Sequence, residues 1–324
     1  MFKRAKASIA KLKQSMARQE EHLAAQTDAL HRIAAHLGDP ALGPGGHRAG
    51  VPDDFDPAMY LALNRDVAAA KVDATHHFLN VGENENRHYR PNYMQDGLIT
   101  IHNTSFQDDP AFQDAYARGV KATGGQDYNW HWRVHVGLWA ARCAVKLPGD
   151  FVECGVNKGF LSSSIMHDLK WNDLDRTFWL LDTFAGIDTT GVSSEKNDPG
   201  AEDRNRKHFE SGLYTDDVSA VRENFAEWKN VQIVVGAVPG TLDKITSEQI
   251  AFASIDMNTA PPEIAAMEFL WSRLVPGAMV VLDDFNYRGY EAQHVAMTDF
   301  AKARNTSVLS LPTGQGLLVR PPND

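Results

Sequence analysis

Gly149-Asp-Phe-Val-Glu-Cys-Gly-Val-Asn-Lys-Gly-Phe-Leu-Ser-Ser-Ser164 is the stretch on which the fold turns. Phe151 to Val156 is a short apolar run, long enough for one buried strand. It ends in a turn carrying Gly155 and Gly159, and Leu161, Ile165, Met166 and Leu169 then recur at helical spacing. Strand, glycine turn and helix in this order make the first unit of a doubly wound α/β domain. Such a turn lets a ligand approach the backbone, with free amide hydrogens at the helix N-terminus. The competing reading is that the glycines only let helix pack on strand. Glu153 is the anomaly, a carboxylate where a purely structural strand prefers Val or Ile.

Outward from this unit, strands and helices alternate to the C-terminus. Further strands are expected at Thr177–Phe184, Val231–Val235, Ala251–Asp256 and Ala278–Phe285. Ser307–Leu311 and Gly316–Arg320 complete the set, and the four residues between them demand an antiparallel hairpin. The prediction is an α/β, Rossmann-like domain over 149–324, with a mainly parallel seven-stranded sheet and one antiparallel strand. The polar insertion from Thr189 to Asp217 is expected as a mobile loop over the site.

Toward the N-terminus the character changes. Ile9, Met16, Leu23, Leu30 and Leu37 fall seven apart, with Leu12 and Ile33 in the companion positions. Residues 1–37 therefore read as a coiled-coil helix that makes a homo-oligomer, with Gln19 and Gln26 weakening the seam. The basic first half (Lys3, Arg4, Lys6, Lys11, Lys13, Arg18) offers a competing role on an anionic membrane surface or an acidic partner. Residues 38–52 are a Gly/Pro-rich linker. Residues 53–92 form a small helical module, opened by Asp56 as N-cap and Pro57 at the first helical position. Its wording, FDPAMYLALNRDVAAAKVDATHHFLNVGENENR, resembles a module attached to bacterial glycosyltransferases and other polysaccharide-handling proteins. His76 and His77 are adjacent, so on a helix they diverge and cannot share a metal. Residues 93–148 are aromatic-rich and read as a mostly helical lead-in or lid, ending in a helix from about Trp130 to Lys146.

Bulk properties narrow the function. The chain has 324 residues and a formal net charge of −10, which argues against general nucleic-acid binding. Cys143 and Cys154, the two cysteines, suit buried thiols in a reducing compartment. No apolar run approaches the roughly 18 residues of a bilayer span, and the basic N-terminus lacks the apolar region of a signal peptide. A cytoplasmic protein is expected, with peripheral attachment at the inner membrane as the variant that the basic helix suggests.

Ligands of such sheets bind beyond the carboxyl ends of the strands. There stand Glu153 and Gly155, then Asp182 (placed for a ribose diol), Gly236 (where backbone can meet a flat base), Asp256 with Asn258, and Asp283 with Asp284. Carboxylates on adjacent strands with no basic neighbour in sequence repel unless a cation or proton intervenes. An all-oxygen set favours a hard ion such as Mg²⁺. The alternative leaves Asp283 or Asp284 as a helix cap and no metal.

The motifs GDFVECGVNKG, LLDTFAGI, Thr241-Leu242 after Gly236, SIDMNTAPPEIAAMEFLWSRLVPGAMVVLDDF and LPTGQGLLV together resemble the class I S-adenosylmethionine-dependent methyltransferases. The closest subfamily is the metal-assisted macrocin O-methyltransferase type, which methylates sugar hydroxyls. The resemblance implies S-adenosylmethionine as cofactor, with Glu153 and Gly155 toward its methionine end and Asp182 on its ribose; Gly159 and Gly236 are expected among the cofactor-binding residues. It implies Mg²⁺ on Asp256, Asp283 and Asp284, and a sugar or glycan acceptor. One departure stands out. Where many relatives carry a second aspartate as a proposed base, this chain has Asn258, and an amide cannot take a proton, so either the base lies elsewhere or the metal alone acidifies the acceptor hydroxyl. His135 and His294 are the other candidates, each readable as structural. Ala260 and Pro261-Pro262 replace the family's aromatic residue, which implies a reshaped acceptor pocket.

Two rival readings compete with this one. A nicotinamide dehydrogenase would show Gly-x-Gly-x-x-Gly, and Glu-Cys-Gly-Val-Asn-Lys-Gly lacks that spacing. A non-catalytic scaffold that binds cofactor within a glycan-assembly complex draws its support from Asn258.

Overall fold

A computed structural model describes residues 50–187 and 201–322. The expected coiled coil, most of the linker and the first part of the polar insertion lie outside the described residues. The chain divides into two compact units, one ending at Pro91 and one starting at Asn92.

In the first unit, α1 (Pro57–Leu63) is capped by Asp56, whose carboxylate accepts the Ala58 amide hydrogen at 2.8 Å. Helices α2 (Arg65–Ala69) and α3 (Ala74–His77) follow, and a π-helical turn continues from Phe78 to Gly82. Tyr60, Val67, Ala74 and Phe78 form a small core of their own. His77 accepts or donates a hydrogen bond with the Tyr60 hydroxyl at 2.9 Å, which makes it a packing residue. A Cβ at Gly82 would lie 2.2 Å from that hydroxyl, so the close approach requires glycine there.

The second unit opens with a hairpin that was not expected in a mostly helical lead-in. Strands β1 (Tyr93–Gln95) and β2 (Leu98–Thr100) pair antiparallel around Asp96-Gly97. Both turn residues have positive φ, 51° and 73°, the requirement of the tight turn that Asp-Gly satisfies. Helix α4 (Pro110–Ala122) starts at the Asp109 cap, and α5 (His131–Ala144) leads into the sheet.

From there the order is β3 (Asp150–Cys154), α6 (Phe160–Asp168), β4 (Phe178–Asp182), α7 (Ala201–Glu210), α8 (Val218–Phe225), β5 (Val231–Val235), β6 (Ile250–Ile255), α9 (Ala260–Trp271), β7 (Leu274–Leu282), α10 (Glu291–Lys302), β8 (Leu309–Ser310) and β9 (Gly316–Val319). The sheet order is β5-β4-β3-β6-β7-β9-β8. All neighbours pair in parallel except β9, which runs against both β7 and β8. The sheet is the expected seven-stranded one with a single reversed strand. Helix α7 fills part of the stretch anticipated as a loop, and β7 begins four residues earlier than the apolar run suggested.

All six residues of β6 are buried, as a central parallel strand with both faces covered must be. The largest core side chains gather on β3, β4 and β6, where Phe151 packs on Phe178, Trp171 and Phe252 with centroids 5.1 to 5.7 Å apart. Phe151, Phe178 and Phe252 stand in the amino-terminal halves of their strands, and Trp171 packs on them from the turn before β4. Apolar packing thus closes one end of the sheet, and polar residues are left to the other. Strand order reverses beside β3, where the chain has wound outward through β4 and β5 before returning to β6. The crevice beyond Cys154 and Ile255 is the place where such a sheet accepts a ligand.

Candidate active site

Three backbone facts shape that crevice. The Asp256 amide donates to the Cys154 carbonyl at 2.8 Å, so the ends of β3 and β6 stay joined past the last paired residue. Gly155 bends away there at φ +93°, and a Cβ on it would stand 1.7 Å from the Asp256 carbonyl oxygen. Its need for glycine is therefore the strand contact itself, in a conformation that side chains avoid. Gly159, at φ +83°, precedes α6, and a Cβ there would meet the Phe225 ring at 2.5 Å. Both glycines are thus needed for close contacts with Asp256 and Phe225, not for packing α6 on β3, and Gly155 also lines the cavity.

The cavity beyond the strand ends has a volume of about 280 Å³. Gly155, Asp182, Gly236, Asp256, Asn258, Asp283 and Asp284 all line it. Glu153 and Gly159 do not. Glu153 lies beneath, 4 % exposed, and among the described residues its Oε2 has no hydrogen-bond partner. Burial pushes its carboxyl up to about 8, against the influence of the neighbouring Ser162 hydroxyl.

Asp182 is oriented by the backbone. Its Oδ2 accepts the Asn157 amide hydrogen and its Oδ1 that of Phe184, both at 2.7 Å. Each oxygen keeps a further lone pair for another donor. Leu181, Ala237 and Val238 supply apolar wall beside it. Burial raises the Asp182 carboxyl above its ordinary range, and these amide bonds oppose the rise.

On the other side, Asn258 donates from Nδ2 to Asp256 Oδ1 at 3.3 Å and accepts the Tyr290 hydroxyl at 3.0 Å. Burial, then the charges of Asp283 and Asp284, hold the Asp256 carboxyl well above the usual carboxylate range. Burial and Asp283 likewise push Asp284 up to about 7. Asp283 is held on both oxygens: Arg133 Nη1 donates to Oδ2, and Gln315 Nε2 to Oδ1 at 2.9 Å.

This arrangement departs from the Mg²⁺ site expected on Asp256, Asp283 and Asp284. Among the described residues no group of three or more His, Cys, Asp or Glu is arranged to hold a metal ion. The physical reason is on Asp283, where a guanidinium already supplies the positive charge. The donor set as it stands does not fit the metal.

His135 stacks on Phe106 with centroids 4.1 Å apart, and His294 Nδ1 lies 3.2 Å from the Phe285 carbonyl. Neither lines the cavity. Several cavity residues were not anticipated from sequence: Asp96 and Arg133 from the lead-in, Tyr214 after α7, and Tyr287 and Tyr290 after β7. The Asp-Gly pair at 96–97 was a readable turn signal. Nothing local marked the others.

The reversed ninth strand, the sheet order and the site at the strand ends define the Rossmann-like fold of class I methyltransferases. The O-methyltransferase NovP has this fold, with a TM-score of 0.52, 18 % identity, and coverage of 68 % of this chain and 100 % of that one. The family model described as macrocin-O-methyltransferase (TylF) matches residues 140–309, just over half of the chain, and the chain belongs to that family. A Streptomyces olivaceus protein named 8-demethyl-8-(2,3-dimethoxy-alpha-L-rhamnosyl)-tetracenomycin-C 4'-O-methyltransferase is 31 % identical over 145 residues, which are 43 % of this chain and 54 % of that protein. The demethyldecarbamoylnovobiocin O-methyltransferase of Streptomyces niveus is 28 % identical over 145 residues, 43 % and 53 % of the two chains. The chain thus spans about half the length of the curated relatives it matches.

Proposed function

We propose that this protein is an S-adenosylmethionine-dependent O-methyltransferase whose acceptor is a hydroxyl of a sugar or surface glycan. The observation that carries the reading is that one cavity holds two different sets of residues. Asp182, Gly236 and the Ala237-Val238 wall suit a nucleoside, and Asp256, Asn258 and the strand-end acids suit a hydroxyl that must lose a proton. The similarity to a protein named for 4'-O-methylation of a rhamnosyl-bearing molecule supports a sugar acceptor. The small N-terminal module, by its resemblance, supports a glycan over a free sugar.

The residues present fit the cofactor. Asp182 would accept its ribose hydroxyls, Gly236 to Val238 would flank its base, and Glu153, behind the cavity wall with a partnerless Oε2, would serve the ammonium of its methionine end by giving up its proton when that cation binds. Bound there, the cofactor supplies an electrophilic methyl group on a sulfonium. The chain's own task is to hold the acceptor oxygen in line with that methyl, from which much of the rate comes. Transfer of that methyl to the acceptor oxygen would leave the cofactor as a thioether that keeps the C–S electron pair. The acceptor's proton must go to a base. Asn258 cannot take it, but it grips Asp256, and Tyr290 in turn grips Asn258. Asp256, in its ionised form, is thus the proton acceptor in this reading: burial and its acidic neighbours raise its carboxyl, which makes that form a stronger base and confines it to higher pH. Asn258 is the residue that orients it.

Titration calorimetry of S-adenosylhomocysteine tests the reading. Micromolar binding is expected, weakened by about tenfold or more in Asp182→Ala, which removes charge-assisted bonds worth roughly 1.5–3 kcal/mol. Absence of binding to the wild-type chain would sink the cofactor assignment. Binding without methyl transfer to any sugar acceptor would favour the scaffold reading, for which Asn258 is the supporting observation.

A further inference from the structure

The strand-end acids lie close together, and the chain brings its own cation to them. Arg133, in the first turn of α5, is 8 % exposed. Its Nη1 donates to Asp283 Oδ2, and its Nε donates to Asp96 Oδ2 at 2.6 Å. Asp96 sits at the tip of the β1–β2 hairpin, where a carboxylate normally reaches solvent, yet its side chain is only 7 % exposed. The Tyr287 ring covers the guanidinium at 4.8 Å from its centroid. From the far side, Gln315 fixes the second oxygen of Asp283 and is itself held by the Thr313 hydroxyl at 3.0 Å. Gln315 is 1 % exposed and Thr313 5 %.

We propose that Arg133, tethered by Asp96, is the resident cation of the carboxylate cluster, so that Asp283 is committed to a guanidinium where the resemblance implies a divalent metal. A surface arginine that happened to reach an acid would be mobile and screened. This one is buried, bonded at two of its nitrogens and covered by a ring, and a buried guanidinium cannot shed its charge by deprotonation. A divalent ion seated on the same carboxylate would meet that fixed positive charge at close range in a medium of low polarity. It would also have to displace Arg133 and leave Asp96 buried without its partner, a costly change. Asp256 and Asp284 are then neighbours of a built-in cation and are not two-thirds of a metal cage. Arg133 is in this sense a positioning residue: it holds Asp283, and through it the shape of the acidic wall, without needing to touch an acceptor.

The inference rests on the proposed methyl transfer only for why the cluster exists, and its test is read from cation binding, so the two fail separately. Mn²⁺ is titrated into the full-length wild-type chain, followed by calorimetry and by the loss of the free-ion electron paramagnetic resonance signal. The expected result is no saturable site in the wild type, and a new site at least about tenfold tighter in Arg133→Met, where the three strand-end carboxylates and Asp96 are left without a counter-charge. The double variant Arg133→Met/Asp283→Asn should lose the new site, and Arg133→Lys, which keeps the charge, should not gain one. A wild-type site of micromolar strength that Asp283→Asn abolishes overturns the proposal, and this outcome does not depend on whether the Arg133 variants fold. A well-folded Arg133→Met that binds no more Mn²⁺ than the wild type overturns it equally.

Discussion

Replacing Glu153 with Gln should stabilise the protein in alkaline solution and leave it nearly unchanged in mild acid. The side chain is buried, and its carboxyl is pushed from 4.5 to about 8 by that burial. The native state therefore keeps a proton that the unfolded chain gives up. For an acid raised in this way, stability is complete below the unfolded value near 4.5 and is lost as pH rises, until the native carboxyl also ionises near 8. Each pH unit in that window is worth about 1.4 kcal/mol. Between about pH 5 and pH 8 the wild type should thus lose roughly 4 kcal/mol through this one group. Gln reproduces the shape of the protonated acid and does not titrate, so the variant escapes the loss.

Asp256, Glu263 and Asp284 are raised too, and they tilt the pH dependence of both proteins in the same direction. The difference between wild type and variant isolates Glu153. Urea unfolding followed by tryptophan fluorescence suits the measurement, since Trp171 and Trp179 lie in the core around the sheet. Free energies at about pH 5.5 and about pH 8.5 should diverge by a few kcal/mol, with the variant the more stable at the higher pH. Parallel pH profiles for the two proteins would refute the reasoning, because they would mean that Glu153 is ionised in the native state at neutral pH.

Two further outcomes follow from the crevice. Gly155→Ala should lose at least about 3 kcal/mol and give little folded protein, because its Cβ meets the Asp256 carbonyl in a strained conformation; a melting temperature within a few degrees of wild type would contradict this. Asn258→Asp, which puts a carboxylate where an amide now donates to Asp256, should cost about 1–3 kcal/mol near pH 8 and recover on acidification. Equal stability of this variant and the wild type at both pH values would show that the amide bond to Asp256 contributes nothing.

What could be read in the sequence was what is written locally. Strands β3 to β7 are apolar runs with turn residues at their ends, and the short Pro-Thr-Gly-Gln link before β9 forces a hairpin. The acids of the site were legible because they stand directly after those strands. The hairpin at Asp96-Gly97 escaped because its strands are only three residues long and carry little alternation. Helix α7 escaped because its sequence, AEDRNRKHFE, is polar on nearly all sides and looks like loop. Gly155 was noticed for the right reason, a close approach, but the approaching group is the carbonyl of a residue 101 positions later. No local pattern encodes such a partner.

Arg133 belongs to that last class, and it shows how the fold sets a problem of charge that another part of the chain resolves. Parallel strands all present their carboxyl ends at one edge, so acids that follow them collect on one side of the sheet. Repulsion grows with each one, and a basic residue in the same loops would crowd the crevice. Here the positive charge comes from α5, 150 residues before Asp283 in the chain. A single arginine does not neutralise the acids around it, and the balance is relieved by protonation, with burial and mutual repulsion raising Asp256 and Asp284. Asp96 and Asp283 still share that one guanidinium, so an excess of acid remains beside it. Such a wall disfavours anions and suits a ligand that itself carries positive charge, as the sulfonium of the proposed cofactor does. The same residues that turn away a metal from Asp283 thus leave a field in which the methyl donor is the mobile cation.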